Sequence, residues 1–131
     1  MRILFIDDDP MTVDVIIEHL KIQGHDLNYV KDVPEAIELL MWEQYDVIFI
    51  DVMLPYDKVF TEEETSKGRY TGLKLLEMIY KNNDLSKARE AKIALITNWR
   101  GEPEVDRVAR RHNAIVIRKP LSLDILKKFE V

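Results

Sequence analysis

The sequence predicts an α/β fold in which five parallel strands form one doubly wound sheet. Four short runs, residues 3–6, 47–50, 93–96 and 114–117, are rich in Ile and Val and apolar at nearly every position. Strands buried on both faces read this way. Segments of helical periodicity separate the runs, and strand and helix alternate five times. Such alternation calls for right-handed crossovers that lay helices on both faces of a parallel sheet.

The elements follow in order. Residues 3–6 form the first strand. Asp9 then stands as a cap before Pro10, a first-turn proline, and Val13, Ile16, Ile17 and Leu20 repeat at helical spacing. Gly24 is a stop signal. A weaker strand covers 27–30. Asp32 and Glu35 have the spacing of a capping box and open a second helix through Ala36, Ile37, Leu40 and Met41. Trp42 and Tyr45 are expected to pack at its end. After the third strand, a third helix runs from Gly72 through Leu73, Leu76 and Ile79, with Tyr80 packing at its end. A fourth occupies 102–112 with Val105, Val108 and Ala109 inward. A short fifth begins near Ser122 and carries Leu123, Leu126 and Phe129.

The 131 residues fit one domain, 1–131, and the composition, 47% apolar and 33% charged, is that of a packed globular chain. A net charge of -5 argues against a nucleic-acid partner. Arg107, Arg110 and Arg111 are largely offset by Glu102, Glu104 and Asp106. With no cysteine, disulfides, thiolate metal sites and cysteine nucleophiles are excluded. The apolar start is too short for a signal peptide, and no run reaches the roughly 18 residues of a membrane helix. A cytoplasmic protein with no membrane partner is the expectation. His19, His25 and His112 lack metal-ligand spacing and are assigned to the surface or to packing.

In doubly wound sheets ligands gather at the carboxyl ends of the strands. Asp7, Asp8 and Asp9 follow the first strand, Asp51 the third, Thr97 the fourth, and Lys119 and Pro120 the fifth. Asp9 is explained as a helix cap. The convergence of Asp7, Asp8, Asp51, Thr97 and Lys119 is not explained by turn chemistry. Two carboxylates about 4 Å apart repel by about 4 kcal/mol at an effective dielectric near 20, and one lysine cannot neutralise three of them. Either a proton stays or a cation binds. Oxygen ligands suit Mg²⁺, which also accepts phosphate oxygens. A hydroxyl and an ammonium beside it suit phosphoryl transfer.

The motifs ILFIDDDP, DVIFIDVMLP, IALIT and IVIRKP, in this order and at these intervals, resemble the receiver domains of two-component response regulators, over nearly the whole chain. The resemblance implies a (βα)5 flavodoxin-like receiver fold and a phosphoacceptor rather than an enzyme. It implies phosphorylation at Asp51 and a Mg²⁺ ion held by Asp8 and Asp51 directly, by Asp7 mainly through water, and by the backbone carbonyl of Met53. Thr97 would turn toward the phosphoryl oxygens and Lys119 would pair with the acceptor or phosphoryl group. Lys119-Pro120 is a cis-peptide candidate. The donor implied is a phosphohistidine on a histidine kinase or phosphotransfer protein, and the downstream protein partner is left open.

Three features depart from the family pattern. Gly72 stands seventeen residues after Pro55, an addition of about thirteen, so the charged segment 56–71 is expected as an insertion between third strand and third helix. Within it, Glu62, Glu63 and Glu64 precede Gly68, with one helical turn expected from Thr61 to Gly68. It is read either as a solvated excursion or as a screen for the acceptor and its partners. Val116 occupies the place of an aromatic that changes rotamer in many receivers. Asn98, followed by Trp99, replaces a small residue and is a candidate for controlling access to the site. The chain also ends twelve residues after Lys119, which suggests a stand-alone receiver without an output domain.

Rival readings are a receiver-like adaptor that is never phosphorylated and a phosphatase of the haloacid dehalogenase type. The phosphatase reading would use Asp7 and Asp9 as nucleophile and acid with Thr97 and Lys119. It needs a further acidic pair, for which only Asp124 and Glu130 remain. A flavodoxin-like FMN binder is disfavoured, since three aspartates would repel the cofactor phosphate.

Overall fold

The computed structural model describes residues 1–56, 59–99 and 101–129; Asp57, Lys58, Arg100, Glu130 and Val131 lie outside these ranges. Its strands are β1 (Arg2–Ile6), β2 (Asp26–Val30), β3 (Val47–Asp51), β4 (Lys92–Thr97) and β5 (Ile115–Arg118). All pair in parallel, in the order β2-β1-β3-β4-β5. The α-helices are α1 (Pro10–Ile22), α2 (Val33–Trp42), α3 (Thr71–Lys81) and α4 (Pro103–Arg111). Two 3-10 segments, Asn83–Glu90 and Ile125–Phe129, complete the order. This is the expected doubly wound α/β architecture.

Alternation along each strand divides the core in two. Leu4, Ile6, Ile48, Ile50, Ile93 and Leu95 face α2, α3 and α4. Ile3, Phe5, Val47, Phe49, Ala94 and Ile96 face α1 and the C-terminal segment. Phe5 and Phe49 are paired across β1 and β3 and their rings stack, with centroids 4.4 Å apart. Every β3 side chain is buried, which is why residues 47–50 carry no alternation in the sequence.

The helix signals hold locally. Asp9 Oδ1 accepts the Met11 N–H at 3.0 Å and caps α1, whose buried stripe is Val13, Ile16, Ile17 and Leu20. Asp32 Oδ1 accepts the Glu35 N–H at 2.9 Å and caps α2. Gly24, at φ 94°, supplies the left-handed residue after α1. Tyr45 is buried and donates to Asn28 Oδ1 at 2.7 Å. Tyr80 stacks on His112 with centroids 4.4 Å apart.

Two expectations need correction. Trp42 does not pack at the end of α2; it is 69% exposed. Two residues past the buried Leu40, its side chain is turned about 200° around the helix, toward solvent. The final element is a 3-10 turn beginning at Ile125 rather than a helix from Ser122, and its buried anchor is Ile125, while Leu123 is exposed. The Asn83–Glu90 segment is an element without a periodic signal in the sequence. It seats only Leu85 and Ala88 in the core, too few apolar positions to register as a period.

Gly72 fixes how α3 meets the sheet. Its N–H donates to the Val52 carbonyl at 2.9 Å. A Cβ at this position would lie 2.8 Å from the Val52 Cα and would overlap the Asp51 carbonyl. Neither neighbour is a flexible side-chain tip, so the backbone itself would have to move. Gly72→Ala should therefore destabilise the fold by about 1–3 kcal/mol or more, read by chemical denaturation. An unchanged midpoint would contradict this close approach.

Candidate functional site

The strands deliver their polar groups to one edge of the sheet. Beyond β1 the Asp7 N–H donates to the Val30 carbonyl at 3.1 Å, which holds Asp7 at the lip of the sheet with its side chain fully buried. Asp7 Oδ1 accepts the Asp9 N–H at 2.8 Å. Both Asp9 oxygens serve α1, Oδ1 from Met11 and Oδ2 from the Thr12 hydroxyl at 2.8 Å. Asp8, between them, is exposed.

Asp51 is the last residue of β3 and only 4% exposed; its Oδ1 accepts the Met53 N–H at 3.1 Å. Thr97 ends β4, buried, with Oγ1 accepting the Trp99 N–H at 3.1 Å. Lys119 follows β5, and its N–H donates to the Thr97 carbonyl at 2.9 Å. The Lys119-Pro120 peptide is cis. Asn98 and the Met53 side chain are exposed beside these groups, and Val116 is partly buried against the core.

Lys119 Nζ stands 3.3 Å from Asp7 Oδ2 and 3.4 Å from Asp51 Oδ2. One carboxylate oxygen from each of Asp7, Asp8 and Asp51 lies within 4.8 Å of the other two. Charges from β1, β3 and β5 thus meet in one place, with Thr97 bonded to the Lys119 backbone alongside. Among the described residues Asp124 is not in this group; it pairs with Ser122. Glu130 lies outside the described residues.

The electrostatics follow from burial and mutual repulsion. Asp51 is pushed up to about 7, first by loss of water and then by Asp7; Lys119 and the Met53 N–H pull the other way. Burial and Asp7 also raise Asp8. Burial works against the Lys119 ammonium, but Asp51 and Asp7 outweigh it and the lysine is raised overall. The pocket is therefore short of positive charge near neutral pH. Asp7 Oδ2 is buried without a hydrogen bond among the described residues, although it faces Lys119 as an ion pair. A cluster of hard oxygen donors with one acceptor atom unfilled suits a divalent cation that takes oxygen ligands.

Sequence reasoning missed Tyr29 on β2. Its hydroxyl is buried without a hydrogen-bond partner among the described residues, and burial, then Asp7, push it up to about 12. The hydroxyl keeps its proton at the acidic edge. A lone tyrosine in a half-buried strand gives no signal in one dimension, because its neighbours come from β1 and α1. No helix among the described residues is long and apolar enough to cross a membrane.

The family model for the response regulator receiver domain matches residues 3–129. A CheY-like response regulator receiver domain protein from Methanospirillum hungatei JF-1 superposes with a TM-score of 0.75 at 22% identity, covering 98% of this chain and 90% of that one. A response regulator from Burkholderia pseudomallei, solved with a phosphorylated aspartic acid, calcium ion and citrate, gives 0.76 at 20% identity over 99% of this chain and 66% of that one. The receiver domain of the Francisella response regulator 1452 gives 0.71 at 24% identity over 96% and 91%. These likenesses establish the same fold, and the family match runs through every strand and helix that builds the acidic edge. The chain belongs to the response regulator receiver domains of two-component signalling.

Proposed function

We propose that this receiver domain accepts a phosphoryl group on Asp51 in a Mg²⁺-dependent reaction, from a phosphohistidine on a histidine kinase or phosphotransfer protein. The observation that carries the reading is the Lys119 ammonium set between Asp7 and Asp51, 3.3 and 3.4 Å away, in a carboxylate cluster that one lysine leaves negative. The Burkholderia protein of the same fold carries a phosphorylated aspartate and a calcium ion, which supports the assignment.

Asp7, Asp8 and Asp51 would hold the ion, together with the Met53 backbone carbonyl. Mg²⁺ supplies the charge that keeps the carboxylates ionised and offers coordination to phosphoryl oxygens. The chain's own residues account for the rest. Met53 N–H holds one Asp51 oxygen and orients the carboxylate. That carboxylate forms its O–P bond as the donor's N–P bond breaks, and the imidazole leaves with the electron pair and takes a proton from solvent. Lys119 offsets the charge gathering on the phosphoryl oxygens, and the Thr97 hydroxyl donates to one of them. Hydrolysis of the acyl phosphate resets the site. Asn98, exposed next to Thr97, would limit access of water. The 56–71 segment is taken as an addition to the receiver plan within a single domain.

Incubation with Mg²⁺ and acetyl phosphate, or with a phosphorylated kinase, should add the mass of one phosphoryl group to the wild type and none to Asp51→Asn. A mass gain that survives Asp51→Asn would falsify the assignment; turnover of a phosphomonoester lost in Asp7→Asn but kept in Asp51→Asn would favour the phosphatase reading. Asn98→Ala should shorten the phosphoryl lifetime, and an unchanged dephosphorylation rate would remove Asn98 from the site.

Asp51 also sets a pH dependence. Between its ordinary value near 3.8 and about 7, the folded protein holds a proton there that the unfolded chain has released. Stability without metal therefore falls as pH rises through that window. In chelator, the thermal midpoint should drop from about pH 5 to about pH 8, and Asp51→Asn should recover roughly 1–3 kcal/mol at the upper end. Mg²⁺ should restore much of the loss in wild type. A flat profile in chelator would show that Asp51 is not strained by its neighbours.

A further inference from the structure

The connection between β3 and α3 is tied to the loop that carries Thr97. Arg69 Nη2 donates to Glu102 Oε1 at 2.7 Å, and the Tyr70 hydroxyl donates to Glu102 Oε2 at 2.8 Å. Trp99 completes the cluster. Its ring meets Tyr70 edge to face with centroids 6.2 Å apart, and the Arg69 guanidinium carbon lies 4.7 Å from its centroid. Glu102 stands at the N-cap of α4 but makes no side-chain cap bond there, because both oxygens are turned to Arg69 and Tyr70.

The same loop holds the Thr97 hydroxyl. Trp99 N–H donates to Thr97 Oγ1 at 3.1 Å. A Thr97 side chain drawn to a phosphoryl group gives up that bond, and the Trp99 backbone loses its anchor. Two contacts then separate the event at Asp51 from Arg69 and Tyr70. A cavity of ≈110 Å³, lined by Thr97, Trp99, Val105 and Val116 among others, leaves the loop room to shift. On the other side, residues 61–70 have the internal order to respond as a unit. Thr61 and Glu64 form a reciprocal capping box, with N–H to side-chain oxygen distances of 2.8 and 3.0 Å. The buried Thr65 hydroxyl accepts the Gly68 N–H at 3.0 Å, and Tyr70 N–H donates to the Thr65 carbonyl at 2.9 Å. Turns occupy the stretch between Thr61 and Gly68, and the Thr65 N–H donates to the Thr61 carbonyl at 3.3 Å, closing a single helical turn there.

We propose that Arg69, Tyr70, Trp99 and Glu102 form a latch that is closed while the Thr97 hydroxyl is bonded to Trp99 and opens when Asp51 is loaded. The β3–α3 connection is then the segment that reports the state of the site. This rests on the reading of Asp51 as phosphoacceptor and names the element that responds to it. Surface ion pairs and cation–π contacts are each weak, so a latch built from them can be opened by a ligand of modest preference. Linkage also makes the coupling reciprocal: what opens the latch must tighten binding at Asp51.

The chain has two tryptophans, so Trp42→Phe leaves Trp99 as the single reporter. The probe is Mg²⁺ with beryllofluoride, a phosphoryl analogue, and loading is followed independently by fluorine NMR. On loading, Trp99 emission should change and tryptic cleavage at Lys67 and Arg69 should quicken. Arg69→Ala and Glu102→Gln should each bind beryllofluoride about threefold to tenfold more tightly. In Thr97→Ala, Trp99 emission should no longer follow loading. A purely structural role for the cluster would alter thermal stability in these variants and leave the analogue's affinity where it was. Loading without a change in Trp99 emission or cleavage, with wild-type affinity in Arg69→Ala, overturns the latch alone. No fluorine signal of loading in the wild type overturns the phosphoacceptor reading, and the latch with it.

Discussion

Three carboxylates gathered around one ammonium are the constraint on which the rest of this molecule turns. Lys119 reaches both Asp7 and Asp51, yet it leaves the cluster negative, and burial removes the water that would otherwise screen it. The backbone supplies what side chains do not: Asp9 N–H holds Asp7, and Met53 N–H holds Asp51. Both bonds come from the residues two positions downstream, so each carboxylate is aimed by the turn that follows its own strand. The strain is tolerated because it sits on the lip of a sheet whose interior is apolar on both faces.

The parallel sheet is the device that makes this convergence possible. All five strands run the same way, so every carboxyl end opens on one edge. Because β3 pairs with β1 rather than with β2, the chain reverses its winding there, and Asp7 and Asp51 become neighbours across the crevice. Gly72 completes the arrangement by letting α3 approach the Asp51–Val52 backbone more closely than a side chain would permit. The acidic edge and the packing of α3 are thus coupled through one residue.

Residues 59–71 show how a charged stretch can be ordered without a core of its own. This stretch relies on local hydrogen bonds around Thr61, Glu64 and Thr65, on Ser66, Lys67 and Gly68 in left-handed conformation, and on Val59 and Phe60 packed against the main core. Its last residues reach Glu102 and Trp99, so its conformation is not independent of the loop after β4.

The strands, the caps at Asp9 and Asp32, and the polar residues at the strand ends were all legible in one dimension, since each depends on local pattern and on the rule that parallel strands open at a common edge. Legibility ended where a residue's neighbours are distant in sequence. Trp42 looks like a packing residue until the rotation of α2 turns it outward, and Ile125 rather than Leu123 is buried because a 3-10 segment at 125–129, not a helix from Ser122, is the last described element. Tyr29 and the Arg69–Glu102 pair gave no signal, as their partners lie on other elements. The sequence by itself determined which chemical groups stand at the strand ends, because periodicity and capping are local. Only the tertiary structure decided that Lys119 lies between Asp7 and Asp51 and that Glu102 turns from its own helix to Arg69 and Tyr70, because those distances depend on strand order and on loops whose course no short-range pattern encodes.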